Sequence, residues 1–148
     1  MHQQGQGPPA YEFGVKASFA VTAQKGLIIG VRSFPGNPYD GDTLAEQLEQ
    51  TVILTDTLVK TALVDLDYRS REVDGTRILH RGEPKRTSKG EKRLLRRRQA
   101  VEPSIGHLRV DHRMRRNFLK GALGDAMNPI VTAAGFNIRW LMRWLVIS

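Results

Sequence analysis

Hydrophobic residues recur at two different periods along the first third of the chain, and the change of period marks a change of element. Phe13, Val15, Ala17, Phe19 and Val21 occupy every second position, opposite a mixed face of Glu12, Gly14, Lys16 and Ser18. A period of two sends alternate side chains to opposite faces of a pleated strand, so residues 11–22 are predicted as a half-buried strand. A turn at Ala23-Gln24-Lys25-Gly26 leads into the short, β-branched run from Leu27 to Phe34, which is expected to pair back as a hairpin. Pro35-Gly36-Asn37-Pro38 stops it. From Asp42 the period lengthens: Thr43, Leu44, Leu48, Val52 and Ile53 recur at helical spacing behind acidic residues suited to an amino-terminal turn, predicting a helix to about Leu54.

Thr61-Ala62-Leu63-Val64-Asp65 is a compact apolar run ending in a carboxylate, the pattern of a buried strand that delivers its last side chain to a sheet edge. Residues 69–90 are polar, with one short strand expected at Thr76 to His80 and a loop through Gly82, Pro84, Thr87, Ser88 and Gly90. Glu91 to Ala100 has strong helical propensity and carries Lys92, Arg93, Arg96, Arg97 and Arg98 together. Pro103 disfavours α conformation at Glu102, so a kink or a fresh helix with proline in its first turn is expected there, running through Ile105 and Leu108 to Met114. A final helix from about Asp125 to Leu145 is expected to bury Ala126, Ile130, Ala133, Phe136, Ile138, Leu141 and Leu145. The order hairpin, helix, strand, helices belongs to an α/β class.

Composition adds a partner and removes some chemistry. With 23 Lys and Arg against 15 Asp and Glu, the formal net charge is +8, which attracts polyanions and makes nucleic acid the first partner to consider. The absence of cysteine excludes disulfides and thiolate metal sites, and suits a reducing cytoplasm. Residues 1–10, rich in Gln, Gly and Pro, lack the apolar core of a signal peptide and are expected to be a disordered lead-in. The stretch from Ile138 to Ser148 is interrupted by Arg139 and Arg143, so a buried amphipathic helix is expected there and no membrane partner.

Two acids are placed where metal-dependent phosphoryl transfer would use them. That chemistry needs carboxylates converging on two divalent cations about 4 Å apart, and oxygen ligands are those that Mg²⁺ and Mn²⁺ prefer. Asp65 closes an apolar strand, and Glu102 lies within a basic helical segment. Each also has a plainer explanation, a turn or cap residue for the Asp and a surface ion pair for the Glu. His107 and His112, near Asp111, have a spacing that suits neither a helical metal pair nor a finger, and are expected to be surface residues. Trp140 and Trp144 are expected to anchor a core or an interface.

Five stretches taken in order carry a family likeness. They are Tyr11-Glu12-Phe13-Gly14-Val15-Lys16; Pro35 through Leu44, PGNPYDGDTL; Val64-Asp65-Leu66-Asp67-Tyr68-Arg69; Leu94 through Arg109, LLRRRQAVEPSIGHLR; and Arg116 to Gly121 with Gly124-Asp125-Ala126. In order and spacing the chain resembles the transposases of the insertion sequence five family, from Tyr11 to Leu145. The resemblance implies a ribonuclease H-like core with a DDE triad that cuts and rejoins DNA at element ends with Mg²⁺ or Mn²⁺. Carried over by position, Asp65 would be the second acid and Glu102 the third, both as catalytic and metal-binding residues, with Asp67 a neighbour where the family has Gly. The family's signature around the last acid is met by Arg98 and Glu102, while Leu95 replaces a Tyr and Arg109 stands where a Lys would be. On a continuous helix, positions 98, 102 and 109 share a face, so Arg98 and Arg109 could flank the acid and hold phosphates, with Arg96 and Arg97 beside them; a solvated basic helix is the alternative.

In the family's fold the first Asp lies on a central strand ahead of the hairpin, and residues 1–10 contain no carboxylate. The expectation is therefore an incomplete ribonuclease H-like α/β domain over residues 11–148, its first central strand missing, with carboxy-terminal helices. Such a chain would bind metal poorly and be silent alone. The hairpin and the strand of Leu63 would lack their shared neighbour, leaving backbone groups open to water or to another chain. A second expectation, from a different class, is a noncatalytic DNA-binding protein that modulates a full-length transposase by occupying its DNA ends or joining its oligomer. Either would work in the cytoplasm, at the nucleoid.

Overall fold

The computed structural model describes residues 16–36, 38–68, 71–82, 87–98, 119 and 121–147. Strands β1 (Lys16–Val21) and β2 (Ile28–Phe34) form the expected antiparallel hairpin, with Phe19 opposite Val31 and an irregularity between Ala20 and Val21. The turn closes through the Thr22 N–H on the Leu27 carbonyl at 2.8 Å and the Gly26 N–H on the Thr22 carbonyl at 3.0 Å. Gly26 takes φ 68°, a left-handed conformation that glycine adopts without steric cost.

A short 3-10 turn, Asp40–Thr43, leads into α1 (Leu44–Thr55). The helix packs against both sheets. Leu44 and Leu48 bury against Val64, with Val59, Ala62, Tyr68, Val73 and Ile78 around them. Gln47 and Thr51 lie under Gly30 of β2, so close that a Cβ there would stand 2.6 Å from the Gln47 amide nitrogen and 3.0 Å from the Thr51 hydroxyl. Glycine gives that close approach of helix to strand without displacing the Gln47 amide. Ile53 departs from expectation and is 72% exposed, because nine positions after Leu44 it has rotated to the opposite side of the helix.

Strands β3 (Thr61–Leu63) and β4 (Arg77–Leu79) pair in parallel, Ala62 opposite Ile78 and Leu63 opposite Leu79. The ladder continues with the Val64 N–H on the Leu79 carbonyl at 2.9 Å. β3 is less buried than its apolar run suggests: Thr61 is exposed, Ala62 and Leu63 are half-buried, and Val64 just beyond the strand is buried. Leu79 is the fully enclosed side chain of this pair, with no exposed surface. The four strands form two separate two-stranded sheets in a mixed α/β arrangement.

Helix α2 spans Lys89–Arg98, two residues earlier at its start than the propensity of Glu91 onward suggests. The reason is a capping box: the Glu91 N–H donates to the Ser88 hydroxyl at 3.2 Å and the Ser88 N–H to the Glu91 carboxylate at 2.6 Å. Helix α3, Gly121–Ile147, packs on β2. Ile28 and Ala133 form its core contact, with Phe19, Val21, Val31 and Phe136 around them. Asn137 locks the register, accepting the Ile28 N–H at 3.0 Å and donating to the Ile28 carbonyl at 2.7 Å.

Four of the residues expected to bury on this last helix do not. Ile130, Ile138, Leu141 and Leu145 are exposed, whereas Ala133 is buried. The apolar positions span more than one face, and a two-stranded sheet covers only one of them. Among the described residues, no helix is long and apolar enough to cross a membrane. The helix expected from Pro103 through Ile105 and Leu108 to Met114 and the lead-in of residues 1–10 lie outside the described residues.

Candidate functional site

Asp65 leaves the carboxyl end of β3 immediately after buried Val64, and its side chain is exposed. It also caps the next turn: one carboxylate oxygen accepts the Leu66 N–H at 2.8 Å, and its carbonyl accepts the Tyr68 N–H at 3.1 Å, closing the 3-10 turn Leu66–Tyr68. A capping role and presentation at a strand end are thus met by the same residue. Its neighbour Asp67 is exposed, and the Asp67 carbonyl accepts the Tyr39 hydroxyl at 2.7 Å.

Around this strand end several polar side chains converge. Lys16, the first residue of β1, pairs with Asp40 and donates to the Pro38 carbonyl at 2.6 Å. Tyr68 lies within electrostatic reach of Lys16, Asp40 and Asp65. Burial pushes its phenol above the ordinary value of 10.0; the hydrogen bond with Thr43 acts against that, and the nearby Asp40 carboxylate adds to it. Arg71 pairs with Asp42 at 2.8 Å and lies over the Tyr39 ring at 5.5 Å from its centroid. The corner where β1, the loop of Pro38 and the end of β3 meet is therefore held by charge and hydrogen bonds.

The sequence alone assigns no role to Lys16, Asp40 or Tyr68. Lys16 reads there as one residue of a strand's polar face, and its partner lies beyond the whole hairpin, so only the fold discloses the pair.

The basic segment is a helix with a defined orientation at its start. Arg77, which opens β4, pairs with Glu91 at 3.0 Å and so anchors the first turn of α2 at the amino-terminal end of the β3–β4 pair. The Ser88 backbone N–H, the Arg77 guanidinium and the Ser88 hydroxyl together hold the Glu91 carboxyl below its ordinary value of 4.5. Lys89, Lys92, Arg93 and Arg96 are exposed and recur at helical spacing, making one basic stripe; Arg97 is half-buried. Arg98 is the last residue of the helix. Lys89 is an addition to the expected basic set, and the Ser88-x-x-Glu91 pattern was the sequence signal for it.

Glu102 and Arg109 lie outside the described residues, as do His107, Asp111 and His112. Among the described residues no group of three or more His, Asp or Glu side chains is placed to hold a metal ion. Asp65 supplies the hard oxygen donor that Mg²⁺ or Mn²⁺ takes, so the chemistry fits such an ion while a full ligand set does not assemble from these residues. No family model matches the chain, and neither a curated protein nor a solved structure matches it.

Proposed function

We propose that this chain forms part of the ribonuclease H-like catalytic core of a DDE transposase, with Asp65 as the second metal-binding acid and Glu102 as the third. One observation carries it beyond the ordered sequence motifs: a hairpin and a parallel strand pair flank a shared helix, and Asp65 stands at the carboxyl end of the first parallel strand. In a ribonuclease H-like sheet a central strand lies between such a hairpin and such a pair, and the two two-stranded sheets among the described residues accord with the outer halves of that order. The position of α2, which leads towards Glu102 in sequence, bears on the third acid. It begins at the end of the β3–β4 pair opposite Asp65 and contacts β3, and its ten residues extend about 15 Å, longer than the three-residue pair.

Under this assignment residues 1–148 carry the second and third acids, and cutting is expected only where a first acid joins them. With Mn²⁺ present, the purified protein should leave element-end duplexes uncut. Cleavage that disappears in Asp65→Ala would retain the acid's role and overturn the silence; cleavage unaffected by Asp65→Ala would overturn both.

A second function is favoured by the exposed stripe of α2: DNA binding without cleavage, at the ends or within the oligomer of a complete transposase, at the nucleoid. Each phosphate neutralised releases counterions, so duplex affinity should fall steeply with salt. Replacing Lys92, Arg93 and Arg96 by Gln should reduce the log–log salt slope by roughly two to three. An unchanged slope would remove α2 from the interface.

A further inference from the structure

The parallel pair runs out into two charged residues at matching places. Leu63 lies opposite Leu79, and the ladder continues with the Val64 N–H on the Leu79 carbonyl at 2.9 Å, so the next residues in step are Val64 with His80 and Asp65 with Arg81. Beyond them the two chains still touch: a Cβ built on Gly82 would stand 3.2 Å from the Leu66 side chain. Contacts before and after therefore keep Asp65 and Arg81 adjacent, at the end of strands of a kind that run about 4.8 Å apart. Both side chains are exposed.

The turn that carries Arg81 is held by its own side chains. The Gly82 N–H donates to His80 Nδ1 at 3.1 Å, which closes residues 80–82. A Cβ at Gly82 would meet the His80 ring at 3.1 and 3.2 Å, so glycine lets the ring, the turn and Leu66 pack together. Asp65 is fixed on its own side by the Leu66 N–H, which one carboxylate oxygen accepts at 2.8 Å. A carboxylate and a guanidinium are thus presented side by side at the carboxyl ends of parallel strands, the end of an open α/β sheet where ligands bind.

We infer that Arg81 holds a DNA phosphate beside Asp65. A guanidinium is permanently charged and offers paired N–H donors that match two phosphate oxygens. A bare carboxylate repels that phosphate, and a divalent cation on the carboxylate removes the repulsion. The inference rests on the proposal that Asp65 belongs to a DNA-cutting centre, and it adds a residue that fixes the phosphate there. Arg81 lies at the end of the pair opposite the first turn of α2, so its contact is separable from those of Lys89 and Lys92.

Binding of the full chain to a fluorescently labelled DNA duplex, followed by anisotropy across a range of salt and without divalent metal, tests the contact. Arg81→Gln should weaken binding several-fold and lower the log–log salt slope by about one, and Arg81→Lys, which keeps the charge, should restore the slope. Asp65→Asn should tighten binding in the wild-type background and leave it unchanged in the Arg81→Gln background, because the repelled phosphate is the one that Arg81 holds. Millimolar Mn²⁺ checks the metal separately: it should tighten binding of the wild type more than that of Asp65→Asn. An equal response to Mn²⁺ with the Arg81 effects intact would uphold the phosphate contact and overturn the metal assignment alone. Four results would overturn the inference: a wild type that does not bind the duplex, an Arg81→Gln protein with unchanged affinity and slope, an Asp65→Asn gain that persists in the Arg81→Gln background, or a lowered denaturant midpoint in both single variants without a change of slope, the mark of an ion pair that serves the fold.

Discussion

The two sheets are held together in opposite ways. The β1–β2 hairpin is built from neighbours in sequence, closed by its own turn and covered by α3 through Ile28, Ala133 and the double hydrogen bond of Asn137. The β3–β4 pair is three residues deep, parallel, and joined by the 64–76 connection through a 3-10 turn. Parallel strands cannot share a tight turn, so their pairing rests on what packs over them, here Leu44 and Leu48 of α1 with Val64, Ala62 and Ile78. The hairpin is a local structure secured by a helix; the parallel pair is a tertiary structure that exists because a core does. The candidate acid Asp65 belongs to the second kind, so its placement is only as firm as that core.

Leu79→Ala should widen this difference most. Removing a side chain with no exposed surface should cost about 3 kcal/mol, read from the denaturant midpoint. Amide exchange should accelerate in β3 and β4 well before it does in the hairpin; equal acceleration in both would mean that the sheets open as one unit. Asn137→Ala tests the other side. It leaves the Ile28 N–H and carbonyl without their side-chain partner, for about 1 to 2 kcal/mol, and the exchange it releases should be confined to β2 and α3.

The smallest effect is expected where α2 joins the second sheet. Ser88→Ala removes the cap, at about 1 kcal/mol by denaturation, and should fray the first turn of α2 while β1 and β2 keep their protection. The same junction gives an acid dependence. Glu91 has a folded value below its ordinary 4.5, so the native state binds its proton less readily than the unfolded chain does. Its contribution is present above pH 4.5 and lost as pH falls through the lower folded value. Arg77→Gln should diminish that acid response, measured by dichroism between neutral and acid pH.

The contrast between the sheets also explains what could be read from sequence. The hairpin, its turn and the stop at Pro35 follow from period-two alternation and turn residues, all local signals. The strand at Arg77–Leu79 was legible as a short β-rich run, but its parallel partnership was not, because nothing local specifies which strand a three-residue segment joins. Ile53, Ile138, Leu141 and Leu145 show the corresponding limit for helices. Periodicity says that apolar residues recur, while which face meets a sheet depends on how much sheet there is to cover. For the candidate site, Asp65 at the end of an apolar run was visible, and Lys16, Asp40 and Tyr68 were not, since they meet only when β1 and β3 lie at one corner.

The most direct measurement is the proximity of the two acids, which needs neither substrate nor metal. The cysteine-free chain allows spin labels at Asp65→Cys and Glu102→Cys without background. Two acids that share an ion pair should bring their backbones within roughly 10 Å, so the doubly labelled protein should show strong dipolar broadening in its continuous-wave EPR spectrum. A spectrum equal to the sum of the two singly labelled proteins would place the acids apart and contradict a shared metal site.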